Sequence, residues 1–404
     1  MKNVSAFLKR HSALLLLVLV LATVPAGIAF GKYVKSVNVT SGISVTVEEE
    51  KEYIIDKNKM WTALQGLSAS DPTTLSFVKG SDAAGMQRVD TTGGIQAEGS
   101  GEIGVYQSGT AVCIAPVEND KAELYAPQDC SHFLDDNKTS LGDSLKSICC
   151  SSLNTSNVTD MRYMFQNCSG LTSLDVSMFD TSKVMYMAYM FFKCSELKSL
   201  DLSSFKTSEV TRMGHMFSNC SGLTSLNVSM FDTAKVENMQ SMFYNCSGLN
   251  ALDLSMLDTS NVKTMANMFQ NCSRLTSLNV GFNTSNVTIM NAMFSGCSRL
   301  TLIDVSSFDT SKVMQMQYMF QGCSDLTTIN ASDKFNTDKV RESFDMFTGC
   351  SSLVGGNGTT YNSRYTDETY ARIDGGKPNP GYFTGDLTTQ SVTGYSETLG
   401  FGLG

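Results

Sequence analysis

Hydrophobic and polar residues repeat along the chain from Leu145 onward in units of about 26 residues. The copy that begins at Leu171 reads LTSLDVSMFDTSKVMYMAYMFFKCSE, and eight copies cover residues 145–352. Each copy contains one Met-Phe pair, whose methionines are Met164, Met190, Met216, Met242, Met268, Met293, Met319 and Met346. Repetition at this period is typical of proteins built from stacked, similar units.

Two shorter periods occur inside each unit. Leu174 and Val176 alternate with polar residues, which predicts a short strand with one buried face. Hydrophobic residues after the strand have the spacing of one helix face, at Met187, Met190, Phe191 and Cys194. Gly222 and Gly248 follow the predicted helices at the position where a helix end favours a left-handed residue. Each repeat is therefore predicted to contain a strand, a turn and a short helix.

A single unit cannot bury its hydrophobic residues alone, so successive units are expected to stack with their strands in one parallel sheet. The sequence thus predicts a leucine-rich-repeat-type solenoid, an α/β repeat with a short parallel strand and a short helix per unit and a β-rich N-terminal cap. The predicted segments are a signal peptide or retained anchor (1–29), a β-leaning N-terminal region (31–102), N-terminal cap strands (103–144), eight repeats (145–352), a C-terminal cap (353–384) and a tail (385–404).

The first 29 residues combine Lys2, Lys9 and Arg10 with an apolar run from Ala13 to Ala22 and small residues before position 30. This pattern predicts a signal peptide. A retained membrane anchor is the alternative, because the apolar stretch is just long enough to cross a bilayer. In both cases we expect a secreted or cell-surface protein that touches a membrane only through an uncleaved N-terminal segment.

Composition narrows the class of partner. The chain is 42% hydrophobic and only 17% charged, which indicates a folded protein. Its 30 basic and 39 acidic residues give a net charge of -9, which disfavours nucleic acid because binding to phosphate needs clustered Lys and Arg. The predicted partner is therefore a protein or cell-surface ligand and not nucleic acid.

Eight of the twelve cysteines share one position of the predicted helix, and side chains in register point in parallel rather than towards each other. We therefore expect them to be free buried thiols. Cys113 with Cys130, and Cys149 beside Cys150, are the candidates for a disulfide bridge at the N-terminal cap. Zinc is disfavoured because no Cys-x-x-Cys pair occurs.

One column of polar residues lies on the outward face of the predicted strands and is the candidate ligand face. Carboxylate and amide oxygens about 4.8 Å apart could hold Ca²⁺, although a solvated polar face with side-chain ladders explains the same pattern. We therefore predict no metal site. The column consists of Ser173, Asp175, Ser199, Asp201, Ser225, Asn227, Asp253, Asn279, Asp304 and Asn330, with Ser277 beside it.

No catalytic constellation is visible in the sequence. His132 and His215 are isolated, and neither a Gly-x-Ser-x-Gly motif nor a phosphate-binding loop occurs. The abundant Ser and Thr residues belong to the repeated turn. We therefore expect a protein that is not an enzyme and needs no cofactor.

The unit LTSLDVSMFDTSKV, followed by the Met-Phe-x-x-Cys segment, resembles the 26-residue repeat of the BspA-like leucine-rich repeat family of bacterial surface proteins. The stretches LYAPQDCSHF and NPGYFT are similar to flanks of that family. The resemblance implies an exposed bacterial protein that mediates adhesion to host matrix or neighbouring cells, and it implies no catalytic residue. A self-associating structural component of a biofilm or surface layer, using the N-terminal β segment, is the alternative.

Overall fold

The computed structural model describes residues 34–39, 45–49, 52–67, 72–90, 94–117, 122–135 and 144–385. The chain divides into two compact units, Met1–Glu52 and Tyr53–Gly404. In the first unit, strand β1 (Val34–Val39) pairs antiparallel with β2 (Val45–Glu49). The predicted signal peptide or anchor, 1–29, and the predicted tail from residue 386 lie outside the described residues.

The second unit begins with a mixed β region and one α-helix. Helix α1 (Lys57–Gln65) is capped at its N-terminus by Asp56, whose carboxylate accepts hydrogen bonds from the backbone N–H groups of Asn58 and Lys59. A 3₁₀ turn covers Gly80–Ala83. The strands here are β3 (Tyr53–Ile54), β4 (Thr74–Phe77), β5 (Gln87–Arg88), β6 (Ile103–Ser108), β7 (Ala111–Pro116), β8 (Leu124–Tyr125), β9 (Ser147–Cys149) and β10 (Leu153–Asn154).

One sheet contains strands from both sides of residue 102. Strand β4 lies between β7 and β9 in a six-stranded sheet with the order β11-β9-β4-β7-β6-β5, in which β11 is Ser173–Asp175. The β5, β6 and β7 strands are antiparallel, whereas β7, β4, β9 and β11 are parallel.

Short parallel strands recur through the repeats and pair in register. Ala251 lies opposite Ser277, and Leu302 lies opposite Thr328, so equivalent residues of neighbouring repeats face each other. Although the structure describes residues 199–201 and 225–227, it forms no strand there. The strands are β11 (Ser173–Asp175), β12 (Ala251–Asp253), β13 (Ser277–Asn279), β14 (Leu302–Val305), β15 (Thr328–Ala331) and β16 (Phe383–Gly385).

The short helix predicted for each repeat is wrong, because the segment is a chain of turns. In a helix every N–H would bond the carbonyl four residues earlier. Here the N–H of Met190 bonds the Met187 carbonyl three residues back, while the N–H of Tyr189 bonds Gly214 in the next repeat. Tyr189 and Lys193 have φ near +61° and +62°, a left-handed conformation that an α-helix does not contain. The Met-Phe-Cys spacing arises because these turns also bring every third or fourth side chain inward.

These turns form a second side on which each repeat bonds to the next. Parallel bridges link equivalent residues from Asp129 to Asp160, and onward through Arg212 to Gln315 and Glu342. Repeats are therefore hydrogen-bonded to their neighbours both at the strands and at the turns. Parallel pairing fixes the spacing at about 4.8 Å on each side. Repeated units with short parallel strands and little helix fit a solenoid-like repeat fold.

The interior is one continuous hydrophobic cluster. The phenylalanines of the Met-Phe pairs stack from Phe165 to Phe347 with ring centroids 5.5–5.8 Å apart. At the C-terminal end, Tyr382 and Phe383 pack edge-on against Phe347, so residues of the predicted cap cover the last ring of the stack. Strand β16 extends the sheet beyond β15 by one further parallel strand.

Candidate functional site

The predicted ligand face forms a column of exposed or half-buried polar side chains, here called the oxygen column. Register pairs Asp253 with Asn279 and Asp304 with Asn330, as the sequence predicts for in-register repeats. Where no strand forms, at Asp201 and Asn227, the side chains are still exposed. The full column is Ser173, Asp175, Ser199, Asp201, Ser225, Asn227, Asp253, Asn279, Asp304 and Asn330.

The acidic members of the oxygen column hold the turn that follows each strand. Oδ1 of Asp201 accepts a hydrogen bond from the Ser203 N–H at 2.9 Å. The same bond occurs at Asp175, Asp253 and Asp304, and Asn227 makes it as an amide at 3.0 Å. Bonds from the backbone N–H and the hydroxyl of the serine two residues on lower the pKa of Asp201 and of Asp253. One oxygen of each group therefore stabilises the fold, and these two are negatively charged at neutral pH.

Exposed methionines accompany the oxygen column. Met178, Met230 and Met256 follow Asp175, Asn227 and Asp253 by three residues, and their exposed fractions are 64%, 68% and 72%. Large apolar side chains this exposed are a feature of surfaces that bind partners. In the described residues, no group of three or more His, Cys, Asp and Glu side chains lies close enough together to hold a metal ion.

The threonine of the repeated Phe-Asp-Thr-Ser turn forms hydrogen bonds to the next repeat. Thr181 is fully buried, and its hydroxyl donates to the Lys206 carbonyl at 2.9 Å and accepts from the Lys206 N–H at 2.7 Å. Thr207 and Thr233 donate in the same way to Asp232 and Asp258. This column was read from the sequence only as local turn chemistry, whereas its main bonds run between repeats.

All twelve cysteines lie in the described part of the chain and are free thiols. The cysteine of each repeat is buried. In seven repeats its Sγ donates to the carbonyl of the Met-Phe phenylalanine one repeat back, as from Cys220 to Phe191 at 3.0 Å, and in the first repeat Cys168 donates to the Leu134 carbonyl. Burial raises the pKa of Cys220 to about 12, so it is a neutral thiol. The two pairs proposed as bridges, Cys113 with Cys130 and Cys149 with Cys150, are likewise unbridged.

The two histidines outside the first 30 residues belong to an aromatic stack that the sequence analysis missed. His132 stacks on Tyr163 at 4.4 Å, Tyr163 on Tyr189 at 4.8 Å, and Tyr189 on His215 at 4.3 Å. Nδ1 of His132 lies 2.7 Å from the Asp135 carboxylate, and burial lowers the pKa of His215. The signal was available in the sequence, because Tyr163, Tyr189 and His215 are each the residue before a Met-Phe pair.

A cationic group flanks this stack. The guanidinium carbons of Arg162 and Arg212 lie 5.2 and 5.8 Å from the ring centroid of Tyr186. Tyr186 and Arg212 belong to the column of turn residues that parallel bridges connect. The Lys193 ammonium lies 5.3 Å from the Phe192 ring, which meets Tyr189 edge-on. These contacts are cation–π geometry. Rings and cations thus cluster on the turn side of the first three repeats.

The repeats match a known protein family. The sequence model of a family described as "Mycoplasma protein of unknown function, DUF285" matches residues 133–252, 225–300 and 245–359, which together cover more than half of the chain. The chain belongs to the DUF285 family. The DUF285 matches coincide with the stacked repeats, so the family relationship concerns the repeat itself. Neither the curated proteins nor the solved structures contain a match to the chain.

Within the described residues of this DUF285 protein, no helix has the length and apolar character needed to cross a bilayer.

Proposed function

We propose that this chain is a non-enzymatic surface or secreted repeat protein that mediates adhesion to host matrix or to neighbouring cells, and that the oxygen column is its ligand face. The observation that carries the proposal is the column itself. It presents carboxylate, amide and hydroxyl groups at a fixed interval, with the exposed methionines Met178, Met230 and Met256 beside it. Repeated polar and apolar groups on a rigid stack suit a large protein or cell-surface ligand better than a small substrate.

A finer relationship is part of the same proposal. The repeat resembles that of the BspA-like leucine-rich repeat family, and we propose that the stack is a leucine-rich-repeat-type solenoid in which turns replace the helix. The DUF285 match and the in-register parallel pairing support a repeat stack of this general kind. The resemblance to bacterial surface proteins favours export and exposure at the cell surface.

The test removes charge from the oxygen column without removing its turn contacts. Asp201→Asn, Asp253→Asn and Asp304→Asn are combined in the full chain. Asn227 already makes the same turn bond as an amide, so the triple variant is expected to keep its melting temperature. If the carboxylates contact the ligand, adhesion to immobilised matrix proteins and to whole cells should weaken by about threefold to a hundredfold.

A matched control removes three carboxylates from the turn side. Glu209→Gln, Glu237→Gln and Glu342→Gln change the net charge equally, and all three residues are exposed. This control should adhere like the wild type. Equal loss in both triple variants would show a non-specific charge effect, and loss in the control alone would move the ligand to the turn side. If the wild-type protein itself does not adhere but assembles with increasing concentration in sedimentation, the self-associating structural protein is favoured.

A further inference from the structure

The turn side of the first three repeats differs from the rest of the stack. We define the aromatic patch as Tyr163, Tyr186, Tyr189, Phe192 and His215 with the exposed cations Lys193 and Arg212. In the next three repeats the column of Tyr163, Tyr189 and His215 continues with Ser241, Asn267 and Ala292 before a ring recurs at Tyr318, and the column of Tyr186 and Arg212 continues with Asn238 and Thr264. Since all repeats stack in the same way, the fold itself does not require rings or cations at these positions.

The aromatic residues of the patch are held in an unusual backbone conformation. Tyr163, Tyr189 and His215 have φ of 60°, 61° and 60°, in the left-handed region. Asn and Gly adopt this region more easily than aromatic residues, and the chain uses Asn267 in the same column. Stacking at 4.3–4.8 Å offsets part of this cost and fixes the rings before any partner arrives.

The patch is positive although the chain is acidic. Two carboxylates near the patch form ion pairs with other cations: Asp160 bonds Arg162 at 2.6 Å, and Glu237, which also attracts Arg212 without contacting it, bonds Lys263 at 2.8 Å. Across the residues that the structure describes, no carboxylate lies within ion-pair distance of Lys193 or Arg212. In a chain with a net charge of -9, two unpaired cations beside a tyrosine cluster form a local site for a negative partner.

The ring contacts also select the kind of partner. Tyr186 is covered by guanidinium groups, and the flat faces of Tyr189 are covered by Tyr163 and His215. A sugar ring that stacks on an aromatic side chain needs an open face, which Tyr186 and Tyr189 at the centre of the patch do not offer. They present edges, which carry partial positive charge and attract carboxylate oxygens. Tyr and Arg are also the residues enriched at the centres of protein–protein interfaces.

We propose that the aromatic patch is a docking surface for an acidic peptide segment of a protein partner. Carboxylates of the segment meet Lys193 and Arg212, and its backbone and apolar groups lie along the edges of the tyrosine stack. The surface is on the turn side, away from the oxygen column, so this proposal does not rest on the proposed adhesion function.

The test measures binding of fluorescent poly-L-glutamate to the full chain by anisotropy, at low ionic strength and at about 0.15 M salt. The double variant Lys193→Gln and Arg212→Gln should lose at least about tenfold in affinity, because both unpaired cations are removed. Tyr186→Leu keeps every charge but removes the ring that Arg212 packs on, and it should weaken binding by a smaller factor. The matched control is Arg274→Gln with Arg299→Gln, two exposed arginines of consecutive repeats, which should bind like the wild type.

Three outcomes would overturn the proposal. Wild-type protein that does not bind poly-L-glutamate at low ionic strength would exclude an acidic docking surface. Equal loss in the control and in the patch variant would show attraction by overall charge alone. Heparin that binds the patch more tightly than poly-L-glutamate, with the same dependence on Lys193 and Arg212, would assign the patch to a sulfated glycan. Melting temperatures of all variants separate lost binding from lost folding.

Discussion

The buried threonine of the Phe-Asp-Thr-Ser turn tests how neighbouring repeats are held together. In Thr181→Val a methyl replaces the hydroxyl at almost unchanged volume, and both the N–H and the carbonyl of Lys206 lose their partner. A buried polar group left unsatisfied costs about 1 to 3 kcal/mol, so two such groups predict a loss of about 2 to 6 kcal/mol in the free energy of unfolding. Thr233 makes one such bond in the described structure, to Asp258, so Thr233→Val should cost about half as much.

Urea denaturation followed by circular dichroism measures these losses, and hydrogen exchange reports on the bond directly. The Lys206 amide should lose protection in Thr181→Val and keep it in Thr233→Val. Thr172→Val is the exposed control, because its hydroxyl bonds the Lys146 carbonyl at the surface, and it should change stability by less than about 0.5 kcal/mol. Equal destabilisation by Thr181→Val and Thr172→Val, or an unchanged Lys206 amide, would refute the inter-repeat role of this residue.

Three further predictions concern the thiols, the C-terminal cap and modularity. In the native protein Cys220 should not react with a thiol reagent near neutral pH, because burial raises its pKa to about 12. The denatured protein should show twelve free thiols. Repeat cysteines found cross-linked by mass spectrometry would contradict this prediction. Burial acts to raise the pKa of Asp374, but hydrogen bonds from Thr359, Gly376 and Asn357 outweigh it and lower the pKa. The ionised Asp374 carboxylate therefore stabilises the fold fully above its unfolded pKa of about 3.9, and this stabilisation is lost as pH falls through the folded pKa. Asp374→Asn should have a lower melting temperature at pH 7, and its melting temperature should fall less than that of the wild type on acidification. An unchanged dependence of the melting temperature on pH would refute this prediction. Deletion of Leu223–Gly248 should leave a folded, slightly less stable protein, whereas deletion of 353–384 should expose Phe347 and cause aggregation; identical melting and solubility of the two deletions would contradict the cap assignment.

The sequence predicted the repeat and the buried positions because these depend on local alternation. Leu174 and Val176 are buried as their alternation predicts, and so are Met187, Met190 and Phe191. The helix was predicted wrongly for a physical reason. Inward residues at every third or fourth position arise both in a helix and in consecutive turns, and only the destination of each N–H distinguishes them.

The glycines gave a second misleading signal. Gly222 and Gly248 are not the left-handed residues of their turns; Asn219 and Asn245 are, with φ of 63° and 56°. A Cβ atom at Gly222 would lie 2.4 Å from the Ser195 carbonyl oxygen of the preceding repeat, so glycine is required there by close packing between units. Contacts between repeats cannot be read from one unit alone.

The candidate site was predicted in part. The oxygen column follows from strand alternation, and its members are exposed or half-buried as expected. Its bonds to the following turn, as from Asp201 to the Ser203 N–H, required the backbone geometry. The aromatic patch was missed because its residues occupy variable positions of the unit and come together only when units about 26 residues apart are placed side by side, as with Tyr163, Tyr189 and His215.

The central claim is that neighbouring repeats stack at the same spacing on the strand side and on the turn side, and that hydrogen bonds between repeats occur on both sides. Distances between spin labels measure this most directly. Labels at Ser173 and Leu302 on the strand side, and at Met185 and Met314 on the turn side, are each separated by five repeat intervals. At about 4.8 Å per interval, both pairs should give narrow distributions centred near 24 Å. A turn-side distance that clearly exceeds the strand-side distance, as helices on that side would produce, would contradict the account.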